Sequence, residues 1–162
     1  MKSFSEFELL LEQDLQPWYV GVLPDPKTVY KLQHLVEEFS IPNPVSSNKY
    51  HTTLIYSRKP TVEPKLTSHK LYKASLDKFE VFTTRDGERC LVAKLNSADL
   101  QIRHKQLMDQ MQASYDFPAY QPHITISYDI GKFDHAKLNP CTMSPIYLES
   151  EYCQLLNNLA ET

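Results

Sequence analysis

The sequence HTTLIY at residues 51–56 decides the fold of this chain, because it occurs a second time as HITISY at residues 123–128. Both copies are runs of β-branched, aromatic and aliphatic residues that follow a proline-containing loop, a pattern typical of half-buried strands. Each copy begins with histidine, has threonine at its third position and ends with tyrosine. A repeat of this kind predicts two equivalent strands in a duplicated structure.

The histidine and the threonine of each copy are expected to act together. Side chains alternate across a strand, so residues two positions apart share a face. His51 then lies beside Thr53, and His123 lies beside Thr125. The same alternation predicts that the closing tyrosine of each copy points to the opposite face.

Two imidazoles and two hydroxyl groups facing one cleft suit the cleavage of a phosphodiester. One imidazole takes a proton from the attacking oxygen, the other gives a proton to the leaving oxygen, and the hydroxyls donate to the phosphoryl oxygens. We therefore predict that His51, Thr53, His123 and Thr125 are catalytic. A single histidine-x-threonine pattern would instead favour a structural histidine, and the sequence does not distinguish base from acid.

The paired motifs of histidine, any residue, threonine and an aliphatic residue resemble those of the 2H phosphoesterase superfamily, over most of the chain. This resemblance implies that residues 1–162 form one domain with an α+β fold. In that fold, two duplicated lobes place antiparallel sheets around a central cleft, with the helices outside. The resemblance also implies a metal-independent phosphodiesterase without a cofactor, in which His51, Thr53, His123 and Thr125 have the catalytic roles of the family.

Within this superfamily, the stretch from Ile41 to Arg58 is similar to the phage anti-CBASS nucleases. That resemblance implies a cyclic di- or trinucleotide messenger of bacterial antiviral signalling as substrate, in the cytoplasm of the infected bacterium. Two alternatives stay open. A related 2H enzyme would act on 2′,3′-cyclic phosphates or 2′-5′ linkages at RNA ends, whereas a nucleotide-binding module would use the cleft without catalysis.

Composition argues against several other classes of function. A net charge of −3 does not supply the broad basic surface that binds long nucleic acids. No apolar run approaches the roughly 20 residues that cross a bilayer, so a cytosolic protein without a membrane partner is expected. The three glycines do not compose a phosphate-binding loop, and the three scattered cysteines favour neither a disulfide framework nor a metal site.

Caps and periodicity predict the remaining elements. A capping box at Ser3 predicts a short N-terminal helix, and Asp25 with Pro26 begins a helix that ends near Phe39. The cap Ser97 begins a second long helix that runs to about residue 114. Strands are predicted over residues 18–23, 71–84, 89–95 and 144–156, with a tight turn at Asp86-Gly87.

Three further residues are predicted to contact the substrate. Tyr19 lies in the first strand, where alternation turns one ring toward the cleft to stack on a base. Phe82, near the tight turn, is a second candidate for stacking. Glu151 is predicted to accept a hydrogen bond from the exocyclic amine of a base, with a plain surface carboxylate as the alternative.

Overall fold

The strands and helices follow each other in the predicted order. The computed structural model describes residues 14–68 and 70–158, and the helix predicted at Ser3 lies outside them. Within the described residues, the strands are β1 (Trp18–Pro24), β2 (Thr52–Tyr56), β3 (Tyr72–Thr83), β4 (Arg89–Asn96), β5 (His123–Ser127) and β6 (Ile146–Leu155). The two α-helices of this part of the chain are α1 (Pro26–Phe39) and α2 (Ala98–Met111).

The six strands form one antiparallel sheet in the order β2-β1-β6-β3-β4-β5. The long strand β3 joins its two halves, because residues 72–74 pair with β6 and residues 75–83 pair with β4. Each half places one copy of the repeated motif at an outer edge, as β2 or as β5. The predicted α+β fold is confirmed, and its two antiparallel halves are continuous because β3 serves both.

The two outer strands lie close together, and the loop before each copy bonds to the other copy. The amide of Val45, before β2, donates to the carbonyl of Ile126 in β5 at 2.8 Å. In the other direction, the hydroxyl of Tyr120, before β5, donates to the carbonyl of Thr53 in β2 at 2.7 Å. These reciprocal bonds link the two strands that contain the histidine motifs.

Both helices begin at the predicted caps and pack on one face of the sheet. The Asp25 carboxylate accepts from the amide of Thr28 at 2.9 Å, and the Ser97 hydroxyl accepts from the amide of Leu100 at 3.1 Å. Their buried side chains join those of the strands in a single apolar core. This packing leaves the other face of the sheet for a cleft. Neither helix of the described residues has the length and apolar character needed to cross a membrane.

Candidate active site

The two histidines of the repeat are held in the same way. Nδ1 of His51 lies 2.8 Å from the carbonyl oxygen of Lys49, and Nδ1 of His123 lies 3.0 Å from that of Gln121. A carbonyl oxygen only accepts hydrogen bonds, so Nδ1 of each ring has the proton. Both rings therefore keep Nε2 for a substrate, where it accepts a proton when neutral and donates one when charged.

A β-bulge follows the threonine in both copies. The register of β2 with β1 shifts after Thr53, which makes Leu54 an extra residue. The register of β5 with β4 shifts after Thr125, and Ile126 is the extra residue in the same place. Each histidine still shares a face with its threonine, as predicted, because both precede the bulge. Beyond the bulge, the alternation of side chains is reversed.

The bulges turn the closing tyrosine of each copy toward the cleft. The prediction that Tyr56 and Tyr128 lie on the face opposite the histidines is wrong, because simple alternation does not count the extra residue. Both rings line one cleft together with His51 and Thr53. Tyr128 belongs to the second copy and lines the cleft together with His51 of the first, whereas His123 and Thr125 are not among the lining residues.

The cleft has a volume of about 620 Å³. Its wall contains four tyrosines and one lysine, which suits a ligand made of bases and phosphates. In the described residues, no three histidine, cysteine, aspartate or glutamate side chains are grouped so as to hold a metal ion. The lining residues are Tyr19, Leu23, Asn48, Lys49, His51, Thr53, Tyr56, Tyr128, Tyr152 and Gln154.

Tyr19 reaches the cleft, but its ring is enclosed. The residue is only 4 % exposed, and its ring packs edge-on against those of His51 and Tyr56. A base needs an open ring face to stack, so the predicted stacking on Tyr19 is corrected by this packing. The Tyr19 hydroxyl lies 2.9 Å from Oγ1 of Thr53. Burial raises the pKa of Tyr19 far above its usual range, so its hydroxyl stays protonated beside Thr53.

Gly21 and Tyr152 are site residues that the sequence analysis missed. Gly21 lies between Thr53 of β2 and Tyr152 of β6. A Cβ atom at position 21 would lie 2.6 Å from the ring of Tyr152, so glycine is needed for this ring to cross the strand. Tyr152 packs against Tyr19 with 6.0 Å between ring centroids. A glycine inside a strand is the sequence signal that could have indicated this close approach.

Glu151 faces away from the cleft, which corrects its predicted contact with a base. Alternation along β6 gives the cleft position to Tyr152, so Glu151 points toward α2. Its carboxylate accepts from Nε and Nη2 of Arg103 at 2.8 and 2.9 Å, from the amide of Thr67 at 2.9 Å and from the Tyr72 hydroxyl. Burial alone would raise the pKa of Glu151, but these hydrogen bonds hold it below its usual value. Glu151 is thus half of a buried ion pair that fixes α2 to the sheet.

The sheet face beside the second copy has charged groups, which the sequence analysis also missed. Lys94 of β4 lies directly opposite His123, and opposite residues of antiparallel strands share a face. Nζ of Lys94 forms an ion pair with Oε2 of Glu80 at 3.1 Å. Phe82 follows two residues after Glu80, on the same face, and is 46 % exposed. The ring of Phe82 is open, and its contact with a base stays a prediction.

Two side chains cap the outer edge of β2 at its bulge. The Tyr120 hydroxyl donates to the carbonyl of Thr53, and Nδ1 of His104 donates to the carbonyl of Leu54 at 2.6 Å. The rings of His104 and Tyr120 stack with 4.2 Å between centroids. Burial lowers the pKa of His104, so its ring is neutral near pH 7. This histidine supports the strand that presents His51.

Relatives of this chain are found among phage proteins. Residues 16–161 match the family model described as anti-CBASS protein Acb1. A protein of that name from Acinetobacter phage Ac42 is 35 % identical over 139 residues, covering 86 % of this chain and 90 % of the relative. The protein of that name from Enterobacteria phage T4 is 34 % identical over 134 residues, covering 83 % and 84 % of the two chains.

Two solved structures have a fold similar to that of this chain. Escherichia coli LigT complexed with ATP aligns with a TM-score of 0.54 at 14 % identity, over 87 % of each chain. A structure described as a phosphoesterase aligns with a TM-score of 0.52 at 15 % identity, over 86 % of this chain and 84 % of the other. At this identity, the likeness shows the fold.

Proposed function

This chain belongs to the anti-CBASS protein Acb1 family, and we propose that His51 and His123 are its two catalytic histidines. The protein is an anti-CBASS phosphodiesterase whose substrates are cyclic oligonucleotides, in keeping with its family and its phosphoesterase fold. We further propose that it acts in the cytoplasm of the infected bacterium. The degraded molecules are the messengers that activate host defence.

The catalytic proposal is supported by the two imidazoles, which have the same hydrogen bonding. Both rings have Nδ1 bonded to a main-chain carbonyl, and no residue of the described part of the chain forms a hydrogen bond with either Nε2. In the proposed reaction, one neutral imidazole takes the proton of the ribose 2′ hydroxyl next to the scissile 3′-phosphate. The 2′ oxygen bonds to phosphorus while the bond to the 5′ oxygen breaks. The other imidazole, protonated at the start, gives its Nε2 proton to that 5′ oxygen.

Thr53 and Thr125 are proposed as donors to the non-bridging phosphoryl oxygens. The contact between Thr53 and Tyr19 supports this role. If the Tyr19 hydroxyl donates to Oγ1 of Thr53, the hydrogen of the threonine hydroxyl is free to point into the cleft. A donor that is oriented before the reaction stabilises developing charge without reorganisation.

The reaction is tested with ribose and deoxyribose forms of one cyclic dinucleotide, incubated with the protein in excess EDTA and resolved by chromatography. We expect the ribose ring to be opened and the deoxyribose ring to bind without cleavage, because it lacks the attacking hydroxyl. Equal cleavage of both would show that water attacks. Activity lost to EDTA and restored by zinc would contradict the metal-independent reaction. Cleavage of RNA 2′,3′-cyclic phosphate ends alone would favour an RNA-end enzyme.

A further inference from the structure

We propose that Tyr56 and Tyr128 are a pair of base-stacking residues, one for each of two nucleobases in the cyclic substrate. The proposal rests on the proposed function and adds how the cleft selects its substrate. It concerns the two tyrosines that the duplicated bulges turn into the cleft. The enclosed ring of Tyr19 does not take this role.

The repeated motif places the two tyrosines in equivalent positions. Tyr56 and Tyr128 each lie five residues after a motif histidine. In an unbroken strand, both rings would point away from the imidazoles. The same extra residue in each copy reverses that direction, and both rings line the cleft with His51. The two copies thus repeat an imidazole, a hydroxyl and an aromatic ring in one geometry.

Both rings are more exposed to solvent than the ring of Tyr19. Tyr128 is 51 % exposed and Tyr56 is half-buried, whereas Tyr19 is 4 % exposed. Aromatic rings that stay open beside catalytic groups bind bases well, because every base has a face that stacks on them. Partly exposed rings in the wall of a cleft therefore fit a ligand with flat heterocycles.

Tyr56 is held in place by its neighbours. The guanidinium of Arg58 lies over its ring, 5.3 Å from the centroid, and Asp116 holds Arg58 at 3.0 and 3.2 Å. The edge contact with Tyr19 fixes the ring from a second side. A ring fixed before binding loses little conformational entropy when a base stacks on it.

Tyr128 is positioned through the residues on either side of it. The hydroxyl of Ser127 donates to the carbonyl of Pro42 at 2.6 Å, and the side-chain amide of Asn43 donates to the carbonyl of Asp129 at 2.8 Å. Both partners lie in the loop before the first copy. The backbone of Tyr128 is therefore tied to the segment that leads to His51, which places the ring beside the opposite motif.

The pair predicts a preference for substrates with a base on each side of the cleaved phosphate. Cyclic di- and trinucleotides have two such bases, whereas a 2′,3′-cyclic mononucleotide has one. Tyr56 ends β2 and Tyr128 follows β5, so the two rings in the wall of the cleft come from the two copies of the motif. Each ring then stacks on one base.

The test measures the affinity of Tyr56→Leu, Tyr128→Leu and the double variant for a deoxyribose cyclic dinucleotide, which binds without being cleaved, by calorimetry. We expect each single change to raise Kd by about 5- to 150-fold, the factor that corresponds to loss of one stacked base. The phenylalanine variants keep the ring and should bind like the wild type. Tyr30→Leu is the matched control, since Tyr30 is 68 % exposed but lies in a separate groove.

A 2′,3′-cyclic mononucleotide provides the second arm, with circular dichroism and thermal unfolding as folding controls. This ligand has a single base, so its Kd should rise in one of the two single leucine variants and stay unchanged in the other. Unchanged Kd values in folded leucine variants would overturn the proposal. Losses of affinity in the phenylalanine variants equal to those in the leucine variants would also overturn it, because they would indicate contacts of the hydroxyl groups. Wild-type protein that neither binds nor cleaves a cyclic oligonucleotide would overturn the proposed function, and the stacking pair with it.

Discussion

The two copies of the repeated motif have the same geometry but different supports. In the first copy, the side chains of Tyr120 and His104 cap the outer carbonyl groups of β2 at its bulge. In the second copy, a main-chain group caps the strand instead: the amide of Val45 donates to the carbonyl of Ile126. What the copies share is what the proposed chemistry requires, namely the imidazole, the hydroxyl and the bulge.

The surfaces beside the two copies also differ. Thr53 lies opposite Gly21 and contacts the Tyr19 hydroxyl, whereas the second copy lies beside the ion pair of Lys94 and Glu80. Substitutions of the motif residues should therefore affect the two copies alike. Substitutions of their supports should affect one copy only.

The largest expected effect tests the equivalence of the copies. His51→Ala and His123→Ala should each lower kcat on a cyclic dinucleotide by about 10²- to 10⁴-fold, because each removes a general acid or base. The double variant should be little slower than either single variant, since both groups act in one transition state. Rates are measured by chromatography, with His34→Ala on the exposed side of α1 as the control. A nearly normal rate in either single variant would show that the two histidines are not equivalent in catalysis.

Substitutions of the two threonines test both what the copies share and how their surroundings differ. Thr53→Val and Thr125→Val keep the shape of the strand and remove a hydroxyl, so each should lower kcat by about 10²- to 10³-fold with little change in KM. Thr53→Val also leaves the buried hydroxyl of Tyr19 without this partner. Urea unfolding should therefore show a loss of about 1 to 3 kcal/mol for Thr53→Val and little change for Thr125→Val. Equal stability losses would contradict the asymmetry of the supports.

A smaller effect is expected for Tyr19→Phe, which removes only the hydroxyl that orients Thr53. One hydrogen bond is worth about 0.5 to 1.5 kcal/mol, so kcat should fall about 2- to 12-fold while KM changes little. If Tyr19 acts through Thr53, the double variant with Thr53→Val should be no slower than Thr53→Val alone. Additive losses in this cycle would instead indicate a direct contact between Tyr19 and the substrate.

Local signals explain which parts of the structure the sequence predicts. The caps at Asp25 and Ser97 and the turn at Asp86-Gly87 act within a few residues, and both helices begin directly after their caps, although α2 ends at Met111 and not near residue 114. The bulges have no such signal, since both copies are unbroken runs of strand-forming residues. Glu151 and Arg103 are far apart in the chain. The alternation of side chains along β6 therefore does not predict that these two residues form an ion pair.

The smallest expected effect concerns the side-chain support of the first copy. Burial lowers the pKa of His104, so the unfolded chain binds this proton more tightly than the folded protein does. The free energy of unfolding should then be fully retained above about pH 6.5 and decrease as the pH falls below it. His104→Asn keeps a donor for the carbonyl of Leu54 and does not titrate. Urea unfolding between pH 7.5 and about pH 5.5 should show a shallower slope for this variant, and an unchanged slope would assign the dependence to other groups.

The position of β6 between β1 and β3 sets when this enzyme becomes able to work during its synthesis. A ribosome delivers β1, β2 and β3 before β6, yet β1 and β3 cannot pair with each other, because their places in the sheet lie on either side of the later strand. The first histidine motif therefore leaves the ribosome long before Tyr152 arrives to complete its side of the cleft. Activity is expected to appear only after residues 146–155 have emerged, so a prematurely truncated translation product would contain both histidines and still be inactive.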